Sequence, residues 1–198
     1  MNHLAHALLA DAGGVEFALG SAQGDFVHGP PNPDWPCARQ AGLRFHRAID
    51  RYTDAHPEVV AARNTFAPPL RRYAGIMLDV WFDHLLVREW QRHCTEESLP
   101  AFSRRWLGLL DAHAMELPES LRAFLAWMHA HRLPAAYGDD AILDVVFHAL
   151  ARRLSRPSPV GEALPALLER AEALQRCFDA FFPELVTHAR DLRRALLA

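Results

Sequence analysis

Asp79 and Asp83 stand four residues apart in Gly75-Ile-Met-Leu-Asp79-Val-Trp-Phe-Asp83-His84, ionisable groups set in an otherwise apolar run. On an α-helix both carboxylates project from one face, and the His84 imidazole begins the adjoining strip. Leu78, Val80, Trp81, Phe82, Leu85, Leu86 and Val87 surround them, so this helix is apolar nearly all round and is expected to be buried. Charged carboxylates without partners in such an interior would cost several kcal/mol each, so cations, histidines or a metal ion are expected nearby. A second stretch offers partners: His46, Asp50 and Asp54 repeat at spacing four and stack along one helical stripe. Packed face to face, the two helices would gather two histidines and up to four aspartates. Oxygen ligands mixed with imidazole suit Mg²⁺ or Mn²⁺, and less well Fe or Zn.

These side chains need rigid helices, and the chain supplies them throughout. A short first helix from about Asn2, its cap, carries His3 and His6 on one face and ends at Gly13-Gly14. Val15–Val27 reads as a second helix, interrupted by Gly20 and Gly24, with Asp25 near its end. After a proline-rich loop over 29–36, a third helix from about Ala38 to Thr53 carries the His46/Asp50/Asp54 stripe. Glu58–Phe66 is a short fourth helix, and the central one is expected over about Leu70–His93. Four more follow, over Leu99–Glu116, Pro118–Arg132, Asp139–Leu154 and Glu162–Leu197, the last bent or split before Pro183. No alternating strand pattern of useful length and no internal repeat appears. The expectation is a single-domain all-α bundle of about seven to nine helices spanning 1–198.

With 51% hydrophobic residues in 198, the chain has ample material for a full core. All 21 basic residues are arginine, and Ala, Leu and Arg dominate while Ile is scarce, which favours helix over sheet. A net charge of −3 excludes a globally basic nucleic-acid binder. Cys37, Cys94 and Cys177 are odd in number and contain no CxxC pair, which argues against a disulfide framework or thiolate zinc site and fits a reducing cytoplasm. No signal-peptide pattern opens the chain, and no uncharged run approaches the ~18 residues needed to cross a bilayer.

Taken in order, Met1-Asn-His-Leu-Ala-His6, Gly24-Asp25-Phe26-Val27-His28-Gly29, Gly42-Leu-Arg-Phe-His46-Arg47-Ala-Ile-Asp50, Thr53-Asp54-Ala-His-Pro57 and Leu78-Asp79-Val-Trp-Phe-Asp83-His84 resemble the acyl carrier protein phosphodiesterase family. The resemblance is dense over residues 1–93. Beyond them it rests on helical character, Ala151-Arg152-Arg153 and the aromatic Phe178–Pro183 segment. One departure is Ser21-Ala-Gln-Gly-Asp25, where a Gly-Asn-x-x-Ala-Asp pattern is expected; Asp25 itself is in place. The resemblance implies a divergent HD-type, all-α metallohydrolase, dependent on Mn²⁺ or Mg²⁺, that removes the 4′-phosphopantetheine arm from holo acyl carrier protein.

On that basis Asp25, His46, Asp50, Asp79, Asp83 and His84 are the expected catalytic set, with Asp25, His46, Asp79, Asp83 and His84 the expected metal ligands; the spacing leaves ligand and general base undivided among them. His6 and Asp54 are expected to orient ligands from behind, His6 alternatively filling a core position and Asp54 alternatively capping the fourth helix. For Asp79, Asp83 and His84 the plain alternative is a buried hydrogen-bonded network that sets helix register. For His46 and Asp50 it is a solvated face paired with Arg47 and Arg51. Because acyl carrier proteins are acidic, Arg44, Arg47, Arg51, Arg71 and Arg72 form an expected docking surface, with ordinary solubility as the alternative. Two other functions stay open: an HD-type phosphohydrolase acting on a nucleotide, and a non-catalytic helical module that binds acyl carrier protein.

Overall fold

The computed structural model describes residues 3–198. Among them the chain forms eleven α-helices, nine of seven residues or longer, joined by turns and short 3₁₀ segments and with no strand. In order they are α1 (His3–Ala10), α2 (Val15–Ala22), α3 (Cys37–Ala55), α4 (Pro57–Asn64), α5 (Ala74–Arg88), α6 (Trp90–His93), α7 (Leu99–Ala112), α8 (Glu119–Ala130), α9 (Asp140–Arg153), α10 (Leu164–Leu168) and α11 (Ala171–Leu197). The expected all-α architecture is what the chain adopts. Asn2, the expected cap of α1, lies outside the described residues. No helix among the described residues is long and apolar enough to cross a membrane.

α5 lies at the centre, as its all-round apolar character requires: Met77, Leu78, Val80, Trp81, Phe82, Leu85 and Leu86 are all buried. Phe82 packs on Phe178 and Phe181 of α11, with ring centroids 5.7 and 5.8 Å away. The central helix is shorter than the sequence suggests. A 3₁₀ segment, Leu70–Tyr73, precedes it, and the helix ends at Arg88. There the chain turns so that Trp90 is buried and its indole N–H donates to the Glu97 carbonyl at 2.8 Å.

The C-terminal helix differs from expectation too. The break falls before Ala171, and α11 then runs through Pro183 without interruption. A proline inside a helix costs ~3 kcal/mol. Phe178, Phe181, Phe182 and Leu185, all fully buried on this stretch, offset that cost by holding both halves against the core.

Glycines set the approach of α2 to α3. A Cβ on Gly20 would lie 1.9 Å from the Arg39 carbonyl oxygen, and one on Gly42 would lie 2.0 Å from that of Phe17. The two helices therefore meet backbone to backbone. That close crossing puts the end of α2, and Asp25 just beyond it, beside the His46 turn of α3.

Candidate active site

Three segments converge on one cluster. α1 contributes His6, the turn after α2 contributes Asp25, and α3 contributes His46 and Asp50. His6 Nε2 lies 2.9 Å from one Asp50 oxygen, while His46 Nε2 lies 3.2 Å from the other and 3.3 Å from Asp25 Oδ1. The two imidazoles stack with centroids 3.7 Å apart and planes within 10° of parallel. Both histidines are buried, whereas Asp25 and Asp50 face outward. They open onto a cleft of about 360 Å³ lined also by His3, Phe26, Asp54, Asp79, Leu150 and Arg153.

The electrostatics follow from this arrangement. Burial disfavours a proton on His46, but the hydrogen bonds and charges of Asp25 and Asp50 outweigh it and raise its pKa to about 9. His6, buried and stacked on that cation, is pushed down to about 3 and is neutral. Burial also works against charge on Asp25 and Asp50, yet His46 holds both carboxyls below the usual range. Asp79 behaves differently: burial raises its pKa, and the charges of Asp50 and Asp54 add to the rise.

A divalent ion fits this donor set. His6, His46 and Asp50 each present a ligand atom, all within 4.8 Å of one another. Adjacent donors on an octahedral ion with bonds of ~2.1 Å stand ~3 Å apart, which matches the spacings here. Mixed imidazole and carboxylate donors suit Mn²⁺ or Mg²⁺. The outer nitrogens of His6 and His46, their Nδ1 atoms, are buried without a hydrogen-bond partner among the described residues.

Of the residues expected in the site, His46, Asp50, Asp25 and Asp79 meet around the cleft, and His6, expected behind the ligands, stands within the donor cluster. Asp83 and His84 do not face it. The fully buried Asp83 carboxylate accepts hydrogen bonds from the backbone N–H groups of Leu4 at 2.8 Å and Ala5 at 3.0 Å, so it caps α1. Burial raises its pKa to about 7 against the pull of those two donors. His84 Nδ1–H donates to the Tyr137 carbonyl at 2.8 Å, and burial lowers its pKa, so it is a neutral strut to the 3₁₀ segment Ala135–Gly138. The physical reason is helical geometry: Asp79 and Asp83 share a face, but one turn carries Asp83 beneath α1 rather than beside the cleft.

Asp54 lines the cleft and pairs with Arg63. The cap of α4 is instead His56, whose Nδ1 accepts from the Glu58 N–H while Nε2 faces Glu184. Among the arginines, Arg47 is a clamp: it donates to the Val27 and Gly29 carbonyls at 2.7 and 2.6 Å, pinning the segment that carries Asp25. Among the described residues Arg44 bonds to Gln40 of its own helix, Arg71 reaches Asn64, and Arg72 lies 5.9 Å from the Tyr73 ring centroid. Arg51 is exposed.

Gly24 is a further determinant of the site. A Cβ there would lie 2.1 Å from the His46 ring, so only glycine lets the turn close over the imidazole. His3, whose Nδ1 is 4.0 Å from Asp25, also lines the cleft; its sequence signal was its place on the His6 face. Leu150 had no signal, and Arg153 stood out only within the Ala151-Arg152-Arg153 resemblance with no place in the site, because α9 reaches the cleft from the far half of the chain.

Residues 1–185 match the family model for acyl carrier protein phosphodiesterase. The chain is 32% identical over 194 residues to a protein of that name from Photorhabdus laumondii, covering 96% of each chain. It is 33% identical to those of an Enterobacter species, covering 96% of this chain and 98% of that one, and of Escherichia coli, covering 99% and 100%. No solved structure matches it. A family model that spans nearly all of the chain, together with relatives aligned almost end to end, shows that the chain belongs to the acyl carrier protein phosphodiesterase family.

Proposed function

We propose that this protein is a divalent-metal-dependent phosphodiesterase that hydrolyses holo acyl carrier protein to apo carrier and free 4′-phosphopantetheine. The observation that carries the reading is the convergence of His6, Asp25, His46 and Asp50, from three segments, at one cleft of a chain in this family. His6, His46 and Asp50 would hold the ion, with Asp25 and Asp79 supplying further oxygen donors. Bound there, Mn²⁺ or Mg²⁺ would offset phosphate charge and make a water more acidic. Water attacks phosphorus, the bond to the carrier serine oxygen breaks, and that oxygen leaves with a proton.

The chain's own residues orient this chemistry. Asp50 bridges the two imidazoles and fixes both rings, and Arg47 holds the Asp25 segment in place. The carrier is acidic, so exposed Arg44, Arg51, Arg71 and Arg72 are proposed as its docking contacts. The proposed compartment is the cytoplasm, where the three free cysteines would remain reduced.

The test is the intact mass of holo acyl carrier protein after incubation with and without Mn²⁺. A metal-dependent loss equal to one phosphopantetheine group supports the proposal. An unchanged carrier mass, with folded and metal-loaded protein, rejects it.

A further inference from the structure

A second cavity, about 500 Å³, adjoins the carboxylate–histidine cleft. Both are bounded by His3, Val80, Leu150 and Arg153, so the two spaces share a junction. The walls change character across it. On the cleft side stand Asp25, Asp50, Asp54 and Asp79, whereas Phe124, Trp127, Tyr137 and Val146 make the second cavity mainly apolar. Its size falls in the range that encloses a small organic ligand.

An aromatic seam joins the two spaces. His3 packs at a tilt against Phe124 of the apolar cavity, with centroids 4.4 Å apart, and lies nearly parallel to Phe26, beside Asp25, at 6.1 Å. Phe26 and Phe124 are themselves 5.7 Å apart. Burial and neighbouring cations push the His3 pKa to about 4, so the ring is neutral there.

Arg153 stands at this junction, exposed, at the end of α9. Four aspartates line the same cleft, yet Arg153 makes no ion pair with any of them among the described residues. A cleft so rich in carboxylates repels a phosphate, and a guanidinium on its rim can grip phosphate oxygens bidentately.

Resting on the function proposed above, we propose that the apolar cavity between α8 and α9 seats the arm of the substrate and that Arg153 binds its phosphate at the entrance. The ligand class is a phosphate ester extended by a chain of alkyl and amide groups. The phosphorus then sits at the junction, next to the His6/His46/Asp50 cluster, and the chain runs away from the carrier into the second cavity.

The experiment measures turnover of holo carrier by mass, and its inhibition by free 4′-phosphopantetheine and by pantetheine, which lacks the phosphate. Three enzymes are compared: the parent, Arg153→Ala and Ala149→Trp, the last filling the apolar cavity. Ala149→Trp is expected to raise the inhibition constants of both compounds at least tenfold. Arg153→Ala should raise that of phosphopantetheine about tenfold while leaving pantetheine unchanged, with partial rescue in Arg153→Lys. Wild-type constants in both variants, with the carrier still hydrolysed, would overturn the seat and leave the hydrolase reading intact. Should the parent protein leave the carrier uncut, the hydrolase reading fails, and calorimetric binding of phosphopantetheine decides the seat. Binding that Ala149→Trp abolishes upholds it; no binding, or binding the variant does not change, rejects it.

Discussion

The imidazoles of His6 and His46 lie face to face, 3.7 Å apart, and share one carboxylate, that of Asp50. Two stacked rings cannot both be cations without strong repulsion, so the proton resides on His46, between Asp25 and Asp50. A metal ligand must be neutral. Binding of Mn²⁺ at pH 7.5 is therefore expected to release about one proton per ion. Calorimetry in two buffers of different ionisation enthalpy measures this; metal uptake with no proton release would refute the assignment.

The same proton has a stability signature. With its pKa raised from 6.5 to about 9, His46 stabilises the fold fully below pH 6.5, and that contribution is lost as pH rises through about 9. In chelator-treated protein the effect is expected to be on the order of 3 kcal/mol. It should be absent from His46→Ala, so the stability difference between the two proteins should narrow as pH rises through about 9 and then level off at the cost of the lost buried ring.

Asp83 titrates in a different window. Its pKa, raised to about 7, means that its contribution is fully present below the ordinary aspartate value and is lost as pH rises through 7. Asp83→Asn should flatten the decline between about pH 4 and 7. Asp83→Ala, which also removes the cap of α1, should cost ~1–2 kcal/mol and lower activity by loosening the helix that carries His6. Full activity in a destabilised Asp83→Ala would separate the cap from the site.

Gly24→Ala places a methyl against the His46 ring, whereas a Cβ on Gly108, within α7, meets nothing within 4 Å. The first substitution is expected to abolish turnover and destabilise by ~1–3 kcal/mol. Gly108→Ala should instead stabilise by ~0.5–1 kcal/mol, from helix propensity alone. Melting temperature and carrier mass read both, and a fully active Gly24→Ala would contradict the proposed placement of His46.

Arg47→Ala removes two hydrogen bonds from a charged donor to the Val27 and Gly29 carbonyls, while Arg44→Ala removes one to its own helix. Arg47→Ala should destabilise by ~1–3 kcal/mol and lower kcat by freeing the Asp25 segment. Arg44→Ala should leave stability unchanged and raise KM for the carrier if it docks there. Equal effects from the two would show that the clamp is not used.

The sequence by itself determined the all-helical character and named most of the polar residues that line the cleft. A long apolar run marks α5, and the spacing-four stripe marks α3 and places His46 and Asp50 on one face, because helical geometry is local. Ordered motifs pointed to the family and to Asp25. Only the tertiary structure decided which polar residues meet. Asp79 and Asp83 share a face and look equivalent in sequence, yet the packing of α1 claims Asp83 as its cap and leaves Asp79 on the cleft. His6 enters the donor cluster, and Arg153 reaches its rim, through contacts between residues far apart in the chain. Pro183, a breaker by local rule, stays inside α11 because the buried phenylalanines around it hold the helix to the core. Local preferences amount to about a kilocalorie per residue, and burial across the whole core can override them.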